Sequence, residues 1–107
     1  MTTLLALDIG GTKVGWGIVE AGDTYEVTER GSIPTDAMRG GADVAARICE
    51  LASSLVASHP SVSGVAVASA GVVNPATGDI VSATGTMPRW GGTRLGSLLE
   101  AATGLRV

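Results

Sequence analysis

The chain opens on an apolar run from Thr3 to Ile9, broken only by Asp8. A continuous run, unlike an alternating one, predicts a strand buried on both faces at the interior of its sheet. Val14 to Glu20 follows after a link of four residues, which forces an antiparallel neighbour because a parallel crossover needs a dozen or more. Tyr25 to Ile33 predicts a third strand after a Gly22-Asp23 turn. Between Ala42 and Ser58 the residues Val44, Ile48, Leu51 and Leu55 recur at helical spacing, and His59-Pro60 closes that helix. Val62 to Ala68 is then a strand beside the first, reached by a helical crossover. Pro75-Ala76-Thr77-Gly78 predicts a tight turn between Val72-Val73 and Ile80-Val81. Leu95 to Thr103 reads as a second helix, with Leu95, Leu98, Leu99 and Ala102 on one face and Gly104 past its end. Leu105-Arg106-Val107 begins a further strand.

Composition narrows this picture. A chain of 107 residues, 45% hydrophobic and 16% charged, holds one small domain with a core. With two Trp, one Tyr and no Phe, that core must be built from Val, Leu, Ile and Ala. A net charge of −3, with the seven Lys and Arg scattered, gives no nucleic-acid or anionic-membrane surface. The single cysteine, Cys49, makes no internal disulfide. The first apolar run is too short for a signal h-region or a membrane span, so a cytoplasmic protein is expected.

The link between the first two strands carries the candidate chemistry. Asp8-Ile9-Gly10-Gly11-Thr12-Lys13 joins strand to strand, whereas dinucleotide fingerprints and Walker loops lead into a helix. It has what a strand-turn-strand phosphate site needs. Glycines let backbone amides approach an anion, Thr12 adds a hydroxyl, Lys13 adds a cation, and Asp8 can hold the water shell of Mg²⁺. The plain alternative is a tight hairpin whose turn amides Asp8 caps.

"LALDIGGTK" resembles the first phosphate motif of the ROK family (repressor, open reading frame, kinase) of sugar kinases, in the actin/hexokinase superfamily. "GVAVASAGVVNPATGDIVSATGTMPRWGGTRLGSLLEAATGLRV" resembles the next ROK segment, so the likeness covers essentially the whole chain. It implies an α/β fold: an RNase H-like (actin-like ATPase) lobe, its mixed five-stranded sheet having antiparallel first three strands and flanking helices. By the same resemblance Asp8, Gly10, Gly11, Thr12 and Lys13 face ATP and Mg²⁺, with Asp8 acting on the metal through water. Gly71 and Thr84 match sugar-contacting positions of the N-acetylmannosamine kinase branch. That branch has an arginine where Val72 stands, and Ser69-Ala70-Gly71 replaces the Pro-Gly commoner in the family, so neither an N-acetylated sugar nor glucose is assigned.

The function implied is the N-terminal part of an ATP-dependent kinase acting on a hexose or N-acylhexosamine hydroxyl, with residues 1–107 forming its N-terminal lobe. The catalytic aspartate, the zinc motif, the sugar-binding Glu and His and the adenine-binding lobe are all expected beyond Val107. The chain alone is therefore expected to be inactive, and polyphosphate remains an alternative donor. Two other readings stand: the sugar-sensing lobe of a ROK transcriptional regulator, or a stand-alone non-catalytic binding domain. BadF/BcrA-type ATPases share a similar glycine pattern but not the Asn-Pro and Trp-Gly segment. Surfaces that face the rest of such an enzyme would be exposed, which predicts a homo-oligomer.

The remaining chemistry-bearing residues read as structural. Asp79 is a turn former and Asp43 a helix N-terminal charge, while Asp36 lies before the first helix; none has the setting of a general base. His59 reads as an exposed terminus residue, Cys49, Trp16 and Trp90 as packing, and Arg89 and Arg94 as solvated surface.

Overall fold

The computed structural model describes residues 2–107. Three strands, β1 (Thr2–Ile9), β2 (Lys13–Ala21) and β3 (Tyr25–Pro34), form an antiparallel meander. A 3-10 turn at Ala37–Arg39 leads into α1 (Gly41–Ser58), and β4 (Val62–Ser69) then pairs parallel to β1. The sheet order is β3-β2-β1-β4. A small separate ribbon, β5 (Val72–Val73) with β6 (Ile80–Ser82), precedes α2 (Leu95–Thr103). Arg106 forms a parallel bridge to Gly64, and its carbonyl accepts the Val65 N–H at 2.9 Å, so the last residues start a fifth position on the β4 edge.

The core lies on one face of this sheet. Leu5, Leu7 and Ile9 of β1 meet Val14 and Ile18 of β2, Val44, Ile48 and Leu55 of α1, and Leu95 and Leu99 of α2. The expectation of two-sided burial for β1 is therefore corrected. Its even-numbered residues face away from both helices, where Asp8 is exposed and Leu4 and Ala6 are half-buried. Strand β1 is interior through its two strand neighbours, not through two helical layers.

Local sequence explains the punctuation. Gly104 ends α2 in the left-handed region at φ 71°, its N–H donating to the Glu100 carbonyl. Asn74 N–H donates to the Asp79 carbonyl and Gly78 N–H to the Asn74 carbonyl, closing the expected turn. Helix α2 turns Leu98 outward, 43% exposed, so its buried stripe is narrower than the periodicity predicts. Trp16 lies over Gly31, its partner across β2 and β3, where a Cβ would stand 2.6 Å from the indole ring.

Candidate functional site

The glycine link lies at the carboxyl end of β1, beside the carboxyl end of the parallel strand β4, where open α/β sheets place their ligands. Gly10 N–H donates to the Lys13 carbonyl at 3.0 Å, closing the turn. The N–H groups of Gly11 and Thr12 have no backbone acceptor among the described residues. Asp8, Gly11, Thr12 and Lys13 are exposed and Gly10 is half-buried. Lys13 is the only lysine of the chain, so the one ε-ammonium sits at this turn.

Beneath the turn lies Thr35, the one fully buried polar residue among the described residues. Its hydroxyl donates to the Gly10 carbonyl at 2.7 Å and its N–H to the Thr12 carbonyl at 3.0 Å. The Thr35 carbonyl accepts from Arg47 Nη2, Arg47 Nη1 donates to the Pro34 carbonyl at 3.0 Å, and Arg47 Nε to Asp43 Oδ2 at 2.9 Å. Nothing in the sequence marks Thr35 as functional, because its neighbours Pro34 and Asp36 read simply as loop.

The second group of expected site residues is brought to the same end of the sheet. Ala70 N–H donates to the Ile9 carbonyl at 2.8 Å, which sets Gly71 close to the glycine turn. Gly71 has φ 93°, and a Cβ there would collide with the Ser82 carbonyl. Thr84 Oγ1 lies 2.8 Å from Thr86 Oγ1, and a Cβ on Gly11 would stand 3.3 Å from the Thr86 carbonyl. The strands and the 84–86 segment thus bring Gly10, Gly11 and Thr12 together with Gly71 and Thr84. Trp90 is fully buried, and its indole N–H donates to Ser69 Oγ at 3.1 Å, pinning the end of β4 to the loop before α2.

Other candidates are already engaged. Asp43 pairs with Arg39 at 3.5 Å and with Arg47, the residue that holds the Thr35 carbonyl. Asp79 serves the turn through its carbonyl, and Asp36 precedes the 3-10 turn at φ 47°. Arg89 and Arg94 are exposed, and Cys49 packs against the core, where burial pushes its thiol pKa up. His59 differs from expectation. Its ring bridges the Leu55 carbonyl and Glu29 Oε2 with its side chain only 21% exposed, because the end of α1 docks beside β3. The hydrogen bonds that the ring donates to Glu29 Oε2 and to the Leu55 carbonyl both raise its pKa.

The donor set fits a nucleotide phosphate with Mg²⁺. Two free amides, a hydroxyl and an ammonium suit the anion, and a single exposed carboxylate suits a cation that keeps most of its waters. Among the described residues no three His, Cys, Asp or Glu gather as a fuller ligand set.

Mixed sheet, one-sided helical layer and a glycine turn between antiparallel strands define an actin-like, RNase H-like lobe. No protein-family model matches the chain. It is 32% identical over 101 residues to an uncharacterized protein of Clostridium perfringens, covering 94% of this chain and 33% of that one. It is also 32% identical over 104 residues to a beta-glucoside kinase of Klebsiella pneumoniae, covering 97% and 32%. The chain spans about a third of the length of the curated relatives it matches. Among solved structures, a putative N-acetylmannosamine kinase from Listeria monocytogenes matches with TM-score 0.78 and 32% identity, over 99% of this chain and 34% of that one. A ROK glucokinase from Streptomyces griseus, in complex with glucose and AMPPNP, shares the fold at TM-score 0.80 and 23% identity, over 98% and 31%. A ROK transcriptional regulator, a homologue of the Escherichia coli MLC protein, does so at TM-score 0.76 and 23% identity, over 98% and 26%. The chain resembles these ROK proteins over its whole length and shares the fold of the corresponding third of their kinases.

Proposed function

We propose that the chain is the N-terminal lobe of an ATP-dependent sugar kinase, holding nucleotide phosphates at Gly10–Lys13 and forming one wall of the sugar site at Gly71 and Thr84. The observation that carries this reading is the closeness of Gly11 to Thr86, where a Cβ on Gly11 would stand 3.3 Å from the Thr86 carbonyl, and the Thr86 hydroxyl lies 2.8 Å from that of Thr84. Donor and acceptor of a phosphoryl group must meet within a few ångströms, and these two groups of residues converge on one spot. The kinases named above support the same reading at the level of family and fold.

Bound there, ATP with Mg²⁺ would supply the phosphoryl group and the cation that offsets its charge. The chain's own part is positioning. The Gly11 and Thr12 amides and the Thr12 hydroxyl donate to phosphate oxygens, and Lys13 contributes positive charge. Asp8 holds the metal's waters, and Thr84 with the Gly71 backbone borders the sugar. Transfer also requires a base to take the proton of the sugar hydroxyl. Asp36, Asp43 and Asp79 are all committed to turn or helix roles, so the 107-residue chain binds without turning over. A homo-oligomer built through the lobe's exposed apolar positions belongs to the same proposal.

Because Lys13 is the only lysine, the test is direct. Mg·ATP should slow acylation of Lys13, read by mass spectrometry of the tryptic peptides, with the Met1 α-amino group as internal control. Equal labelling with and without saturating nucleotide would overturn the proposal. The sensing lobe of a regulator is the second reading, favoured by the match to the regulator structure. It predicts protection by sugar and none by Mg·ATP.

A further inference from the structure

Thr35 uses all three of its polar groups, and two of them hold the glycine turn. Its hydroxyl and N–H fasten the Gly10 and Thr12 carbonyls, and its own carbonyl is held by Arg47 of α1. A planar trans peptide unit points its C=O and N–H in opposite directions, and no peptide bond among the described residues is cis. The carbonyl of Gly10 and the N–H of Gly11 belong to one such unit. Holding that carbonyl on the buried side therefore turns the Gly11 N–H toward the exposed side, where it has no backbone acceptor. The glycines alone would not do this, because a glycine pair leaves the peptide plane free to rotate.

We propose that Thr35 is a positioning residue for phosphate binding: anchored to α1 through Arg47 and Asp43, it locks the Gly10–Gly11 peptide so that its N–H faces the ligand. This rests on the phosphate role proposed for the turn. Arg47, braced by Asp43 on one side and holding the Pro34 and Thr35 carbonyls on the other, fixes Thr35 to the helix rather than leaving it on a mobile loop. The device accounts for a fully buried threonine directly after a proline at a strand end.

The test compares the parent chain with Thr35→Val and Thr35→Ser, following Mg·ATP affinity by calorimetry and the Gly11 amide by NMR and hydrogen exchange. Valine keeps the shape but leaves the Gly10 carbonyl without its donor, whereas serine keeps the hydroxyl. Thr35→Val should weaken Mg·ATP binding about tenfold or more, shift the Gly11 resonance and speed its exchange. Amides of α2 should be unchanged in the folded variant, and Thr35→Ser should stay within about threefold of the parent. A valine variant with parent-like affinity and an unmoved Gly11 amide would overturn the proposal, as would a serine variant no better than valine. If the parent itself fails to bind Mg·ATP, the phosphate reading falls. The positioning claim is then decided by the Gly11 amide in the valine and serine variants alone.

Discussion

Gly11 faces Thr86 across the candidate site, so that a Cβ on Gly11 would stand only 3.3 Å from the Thr86 carbonyl. At that distance a side chain at residue 11 requires the Thr86 segment to give by a few tenths of an ångström. Gly11→Val should therefore cut Mg·ATP affinity about tenfold or more while leaving the melting temperature within a few degrees of the parent, because the strain falls on an exposed turn. Calorimetric titration beside a thermal melt checks both halves.

Gly71 and Gly85 form a matched pair. At φ 93°, and with the Ser82 carbonyl in the way, Gly71 cannot take a side chain without strain, so Gly71→Ala should cost about 1–3 kcal/mol in urea unfolding. Gly85 has open space around it and no left-handed φ, and Gly85→Ala should be neutral or stabilising by up to about 1 kcal/mol.

Trp90→Phe removes the indole N–H that Ser69 Oγ receives and leaves space in the core. A loss of about 1–3 kcal/mol is expected, read by denaturant unfolding. Because the bond ties β4 to the loop before α2, amides of Ser69 and Ala70 should exchange faster as well.

The elements of this fold were legible because their signals are local. The spacing of Val44, Ile48, Leu51 and Leu55 marks α1, Gly104 marks the end of α2, and the four-residue link forces β1 against β2. The glycine turn was legible as candidate chemistry from its residue types, and Gly71 and Thr84 only through family resemblance. What stayed hidden depends on where helices pack. An apolar run such as β1 looks the same with one covered face or two, and both helices chose the face of Leu5, Leu7 and Ile9. Thr35 and Arg47 are twelve residues apart and meet only when α1 docks against the β3 end. His59 and Glu29, thirty apart, were equally invisible.

His59 makes stability depend on pH. One ring nitrogen faces the Leu55 carbonyl and the other Glu29, so both bonds are satisfied together by the charged imidazolium, and the folded pKa is raised above the ordinary 6.5. A raised pKa means that the folded state binds the proton more tightly than the unfolded one. The stabilisation is fully present below the unfolded pKa and is lost as pH rises through the folded value. Melting temperature should therefore fall between about pH 6 and pH 8, and His59→Gln should flatten that slope. A slope equal in parent and variant would remove His59 from the account.

The most direct measurement of the central claim is a ¹H–¹⁵N NMR titration of the 107-residue chain with Mg·ATP. The account predicts saturable shifts concentrated at Gly10, Gly11, Thr12 and Lys13, with smaller ones at Gly71 and Thr84. Shifts absent at millimolar nucleotide, or confined to residues away from the carboxyl ends of β1 and β4, would contradict it.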